Sequence, residues 1–227
     1  MNDDQFLLSR FYGIARLFPL PNLVLFPQVV QPLHVFEPRY RQLTRDALAS
    51  DGFIALCLLK PGWEENYHNK PAVHSVACLG RIVADKRLND GRYVLLLRGI
   101  SRIRIVEELE SDQPYRVAKV ELISDELTIS PLECRHVRER FAELLMPRFT
   151  GNEKERKILE EMINGETALG ALCDMLTFRL PMLLEQKQQL LEEADVGVRA
   201  QTLLDVLEAL PMPGERKNPF PPEFSVN

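Results

Sequence analysis

RLFPLPNLVLFPQVVQPLHVFEPRYRQLTRD, residues 16–46, is the stretch whose reading decides the fold. It holds three apolar runs, 17–20, 23–26 and 29–36, divided by Pro21-Asn22 and by Pro27. Proline has no N–H to give to a sheet ladder, so Pro19, Pro27 and Pro32 are expected at strand ends, edges or bulges. Glu37-Pro38 then opens a helix, because a proline at the first helical position forfeits no helical bond. Tyr40, Leu43, Ala47 and Leu48 recur on one face at helical spacing, and Ser50-Asp51-Gly52 ends the run. Three short strands bent by prolines and closed by a helix predict one wall of a small, irregular barrel.

Downstream, residues 53–59 are continuously apolar, the pattern of a strand buried on both faces. KPGWEENYHNKP, residues 60–71, has no period and carries the only tryptophan, Trp63. It reads as an exposed excursion between strands, the kind of segment that carries function. Trp63 and Tyr67 are its candidate binding anchors; the alternative is a Trp that folds back onto the barrel. Residues 73–88 return to strand character, and Asn89-Asp90-Gly91 signals a hairpin. Residues 93–98 form the return strand. Arg102-Ile103-Arg104-Ile105 alternates as a further half-buried strand, and residues 116–123 alternate again.

From Ser130 the pattern turns helical. Ser130-Pro131-Leu132-Glu133 is a capping box with proline at the first helical position. Cys134, Val137, Phe141, Leu144 and Leu145 follow as one stripe, ended or kinked by Pro147. Asn152 caps a second helix with Ile158, Leu159, Met162 and Ile163 facing inward. A third helix carries Ala168, Leu169, Leu172, Met175 and Leu176. After a helix over residues 184–192, Asp195 caps the last, which buries Val196, Ala200, Leu203, Leu204, Leu207 and Leu210.

Composition narrows the function classes. With 45% apolar and 27% charged residues the chain falls among ordinary soluble proteins, and no apolar run approaches the roughly 20 residues needed to span a bilayer. The N-terminal MNDDQFLLSR is acidic where a signal peptide would be basic, so a cytoplasmic location is expected. A net charge of −5 argues against generic nucleic-acid binding. Cys57, Cys78, Cys134 and Cys173 form no CxxC pair and are expected as reduced, structural thiols.

These segments together resemble the N-terminal, substrate-binding domain of Lon-type ATP-dependent proteases. The matching residues are Pro19-Leu20, the apolar run 23–26 with Pro27, Pro32-Leu33 and Val35; then Leu79-Gly80-Arg81-Ile82, Asp90-Gly91-Arg92, Leu96-Leu97-Arg98-Gly99, Arg102, Ile105 and Pro114-Tyr115. In the helical part, Lys187-Gln188, Leu190-Leu191-Glu192, Asp195-Val196, Arg199 and Leu203-Leu204 match. Where that family often has serine or threonine before the Lys-Gln helix, Leu183 and Leu184 stand here, so that helix is expected to lack its side-chain cap. The resemblance implies an α+β fold, with a β-rich, PUA-like pseudo-barrel over residues 1–125 and a helical bundle over 126–210. The proline-rich residues 211–227 read as a flexible tail.

The same resemblance implies a stand-alone recognition module. There is no P-loop, GxGxxG or GxSxG pattern, and the ATPase and Ser-Lys protease parts of Lon enzymes are not found in the sequence. No catalytic residue, cofactor or metal is assigned. Expected partners are unfolded or specific protein clients and a separate ATP-dependent protease, with no membrane; RNA or small-molecule binding through the barrel is the alternative. His34, His68, His74 and His136 match no standard ligand spacing, although His68 and His74 with Cys57 and Cys78 admit a zinc reading. Arg98, Arg102 and Arg104 read either as an anion site or as a solvated strand face paired with Glu107, Glu108 and Glu110.

Overall fold

The computed structural model of the chain describes residues 8–9, 11–66, 69–149 and 151–211. Six strands form one sheet: β1 (Ile14–Leu20), β2 (Val30–Val35), β3 (Phe53–Leu58), β4 (Val76–Arg87), β5 (Tyr93–Leu109) and β6 (Arg116–Ile123). Helix α1 (Pro38–Leu48) lies between β2 and β3; α2 (Pro131–Leu145), α3 (Glu153–Asn164), α4 (Leu169–Arg179), α5 (Leu184–Glu192) and α6 (Val196–Ala209) follow β6. The fold is therefore mixed α+β, with the strands first, as the sequence patterning predicts. The sheet order is β2-β5-β4-β3-β1-β6, and β5 also pairs with β6, so five strands close into a ring and β2 alone hangs from it.

Period-two patterning explains the ring. Ala15 and Leu17 of β1, Phe53, Ala55 and Cys57 of β3, Ala77 and Leu79 of β4, Ile100 and Ile103 of β5, and Ala118 and Val120 of β6 form a single buried cluster. Alternate residues of each strand thus fill the interior, as small barrels require. The other face of β3, with Ile54, Leu56 and Leu58, is buried too, which is why that strand reads as continuously apolar. Helix α1 buries Tyr40, Leu43, Thr44 and Ala47, and the Tyr40 ring meets Phe18 of β1 edge-on at 4.4 Å.

The prolines sit where a missing donor is harmless. Pro32 lies on the edge strand β2, and Pro19 pairs only toward β3, because the β1–β6 register stops at Leu17↔Arg116. Residues 23–26, expected as a strand, are not one: they are irregular, with Val24, Leu25 and Phe26 buried. This segment instead docks on Gly99 of β5. The Gln28 amide donates to the Gly99 carbonyl (2.9 Å), and the Gly99 amide donates to the Val29 carbonyl (2.8 Å). Residues 93–98 and 102–105 likewise are not two strands but parts of one 17-residue strand, β5, whose register slips opposite the Leu79-Gly80 step of β4. A bulge of this kind bends a strand without ending it. The Asp-Gly hairpin forms as expected, with Gly91 at φ +82° and the Leu88 amide bonded to the Arg92 carbonyl.

By contact density the chain divides into two compact units: residues 1–126 with 174–194, and 127–173 with 195–227. In the strand unit, the Gln188 Nε2 of α5 donates to the Val76 carbonyl at the start of β4 (3.0 Å). The α5 N-terminus has no capping side chain, as the Leu183-Leu184 start predicts; Gln186 Oε1 accepts from the Leu183 amide instead. In the helical unit the predicted capping boxes at Ser130 and Asn152 both form. Asp195 caps α6 by accepting from the Gly197 amide, and it also accepts from the Thr128 hydroxyl (2.9 Å). Phe141, Ile163, Leu172, Ala200, Leu203 and Leu207 are fully buried there.

Candidate functional site

The open feature of the strand unit is β2. It pairs with β5 on one side, antiparallel from Val30↔Arg98 to Val35↔Tyr93, and stands at the end of the sheet order. Antiparallel pairing alternates: every second residue directs its main-chain groups to the partner, and the residues between direct theirs away. Val29 is tied to Gly99 by a main-chain bond, and Pro32 has no N–H. That parity turns Gln31, Leu33 and Val35 toward β5, and Val30, Pro32 and His34 toward the open side. The open edge thus offers three carbonyls but only two N–H groups.

The same strand carries an exposed apolar face. Val30 is 46% exposed, Phe36 61%, Val94 41% and Leu96 38%. Pro32 lies opposite Leu96, and His34 opposite Val94, so these side chains share one surface. Leu33, Val35, Leu95 and Leu97, at the alternate positions, are buried. The edge is fixed at its start by Gln28, which holds φ +65° and accepts from the Arg98 guanidinium at 3.0 Å. A non-glycine residue with positive φ is a strained point retained where its surroundings over-determine it.

The excursion over residues 60–71 is pinned at its base by the Leu59↔Val73 bridge and by the Lys60 amide donating to the Ala72 carbonyl (2.8 Å). Trp63 opens a short 3-10 turn, Trp63–Asn66, and is half-buried, between the two expectations for it. Tyr67 and His68 lie outside the described residues, as does the tail beyond residue 211. His34 is exposed on β2, His74 Nδ1 lies 3.2 Å from Glu192, and His136 is exposed on α2. Cys57 and Cys78 point into the ring, where burial pushes the Cys57 thiol up to about 12 and the Cys78 thiol higher still. Such thiols are inert at neutral pH. Among the described residues no three His, Cys, Asp or Glu side chains converge as metal ligands.

The arginine cluster does not form either expected arrangement. Arg98 binds Gln28 and Arg104 faces solvent, while Arg102 turns inward and is 2% exposed. Its guanidinium makes a two-pronged ion pair with buried Asp174, a third bond to Asp125 Oδ1 (3.1 Å), and donates from Nε to the Leu191 carbonyl (3.1 Å). Burial pulls its pKa down, but Asp174 and Asp125 outweigh that and hold it above its ordinary value. Asp174, which sequence reasoning missed, gives no local signal: it sits in an apolar helical stripe 72 residues away.

Three comparisons bear on this architecture. The model of the family described as "ATP-dependent protease La (LON) substrate-binding domain" matches residues 14–209. The Lon protease of Dictyoglomus thermophilum is 31% identical over 194 residues, which are 83% of this chain and 23% of that protein; the Lon protease of Anaeromyxobacter dehalogenans is 25% identical over 201 residues. The chain thus spans about a quarter of the length of the curated relatives it matches. Among solved structures, the N-terminal domain of Mycobacterium avium complex Lon protease superposes with TM-score 0.68 at 18% identity, covering 86% of this chain and 98% of that one. A Lon N-terminal domain protein from Xanthomonas campestris does so with TM-score 0.59 at 28% identity, covering 85% and 97%.

Proposed function

The chain belongs to the substrate-binding domain family of ATP-dependent Lon proteases, and from that premise we propose that it binds exposed, extended segments of other proteins without catalysing a reaction on them. The observation that carries this reading is the edge of β2, with its outward main-chain groups beside the exposed Val30, Phe36, Val94 and Leu96. A segment released from a folded client adds to such an edge as a further strand: main-chain bonds supply affinity, and alternate side chains fall on the apolar face. The missing donor at Pro32 lowers the gain per residue, which suits a module that must release what it captures.

Trp63 and Tyr67 extend the reading as aromatic anchors on the excursion, since aromatic side chains dominate binding hot spots. The clients so bound are passed to an ATP-dependent protease in the cytoplasm. No helix among the described residues is long and apolar enough to cross a membrane. Nothing in the relatives named above supports the RNA alternative.

The test is fluorescence anisotropy of a labelled, permanently unfolded protein titrated with the chain, with its native form as control. Val30→Asp with Leu96→Asp introduces two charges on exposed positions, so the fold should survive. We expect preferential binding of the unfolded form and at least a tenfold loss in the variant, about 1.4 kcal/mol. Equal affinity of variant and wild type would remove β2 from the function. Trp63→Ala with Tyr67→Ala separately reads the contribution of the excursion.

A further inference from the structure

Away from the β2 edge, the strand unit holds a cleft of about 580 Å³, with Pro19, Tyr40, Lys70, Pro114, Tyr115 and Arg116 in its walls. The β1–β6 register ends at Leu17↔Arg116 whereas β1–β3 continues to Leu20↔Leu58, so residues 18–20 keep one flank toward this cleft. Its aromatic walls are fixed before any ligand arrives. The Tyr40 ring is braced edge-on by Phe18, and the Arg39 guanidinium stands 4.6 Å from the Tyr40 ring centre while held by Glu37 at 2.9 Å. The Tyr115 hydroxyl donates to Asp46 Oδ2 at 2.7 Å, which locks that ring as well.

The charges are equally arranged. Arg116 is tied to the Glu108 carboxylate and donates to the Pro71 carbonyl at 2.7 Å, so its guanidinium is held against the wall with the base of the excursion. Glu108 is drawn below the usual carboxylate range chiefly by its hydrogen bond from Arg116. Against Arg39, Lys70 and Arg116 stand only the carboxylates of Glu37 and Glu108. One positive charge is in excess, at Lys70, on a chain whose net charge is −5.

We propose that this cleft is a second polypeptide site, taking an extended proline- and aromatic-containing segment with an acidic side chain. Proline-rich segments enter the extended left-handed helix at little entropic cost and dock on aromatic-lined grooves; Tyr40, Tyr115, Pro19 and Pro114 provide such a groove, and Lys70 receives the carboxylate. The chain itself carries a sequence of this chemistry, Pro219-Phe220-Pro221-Pro222-Glu223-Phe224, which supplies the probe. The inference rests on the chain being a polypeptide binder, but it uses a different surface from β2.

The experiment titrates a labelled peptide of residues 217–227 with the full-length chain, beside the same peptide with its glutamate replaced by lysine. Wild type should prefer the glutamate peptide by about fivefold, as an exposed ion pair gives, and Lys70→Glu should reverse that preference. Val30→Asp with Leu96→Asp should leave it unchanged while weakening the unfolded-protein probe. No preference in wild type, or no reversal with Lys70→Glu, overturns the cleft as a peptide site even if unfolded protein still binds at β2. Displacement of the peptide by millimolar free glutamate would also overturn it, since the cleft would then hold a small anion only.

Discussion

Replacing Asp174 by alanine removes the main counter-charge of a guanidinium that has almost no contact with water. Arg102 and Asp174 are each 2% exposed, whereas Asp125, the remaining carboxylate, is 38% exposed. With charge centres about 4 Å apart and an effective dielectric constant of about 20, the lost attraction is about 4 kcal/mol. The solvated Asp125 recovers about 1 kcal/mol at most, as exposed pairs do. The expected cost is therefore about 3 kcal/mol, in line with the loss when one partner of a buried pair is removed. Arg102→Leu combined with Asp174→Leu should cost less, about 1–2 kcal/mol, because only the Leu191 carbonyl is then left without its donor. Urea unfolding followed by far-UV circular dichroism gives the totals, and hydrogen exchange at β5 amides assigns them to the strand unit. A loss below about 1 kcal/mol for Asp174→Ala, or a double variant worse than the single one, would refute the reasoning.

Two further outcomes follow from close packing and from titration. A Cβ on Gly99 would lie 2.0 Å from the Phe26 carbonyl oxygen, a main-chain atom that cannot step aside. Gly99→Ala should therefore part β5 from residues 26–29 at a cost of about 3–5 kcal/mol, the sum of overpacking and two lost bonds, seen as a lowered urea midpoint with weaker binding at β2. Burial and the bond to Asp46 push the Tyr115 hydroxyl from 10.0 up to about 12. The folded state then keeps a proton that the unfolded chain gives up, so this contribution is complete below pH 10 and is lost as pH rises toward 12. Tyr115→Phe should flatten that alkaline decline, and an unchanged stability profile between those limits would count against the assignment.

Local chemistry was legible in the sequence and remote pairing was not. Ser130, Asn152 and Asp195 announce helix starts because a capping bond spans only three residues, and Asp90-Gly91 announces its hairpin for the same reason. The apolar run 23–26 misleads because burial against Gly99, not a ladder, keeps it dry, and hydrophobicity alone does not separate the two cases. On β5 the bulge opposite Leu79-Gly80 resets the alternation, so inward and outward arginines share one short sequence. The β2 edge was hidden for a related reason. Its exposed and buried positions are both apolar, and only the strand order shows which face stands open.

Arg102 also imposes a timetable on synthesis. It is made 72 residues before Asp174 and 89 before Leu191, both of which it needs. At roughly 5–20 residues per second, a nascent chain waits about 4–14 seconds between the strand and its counter-charge. Through that interval Asp125 is the one carboxylate of the set already made, and α5 has yet to reach the start of β4. The ring of strands is thus finished by a helix translated long after them, and a ribosome that stalls before residue 174 presents a barrel with its charge unanswered.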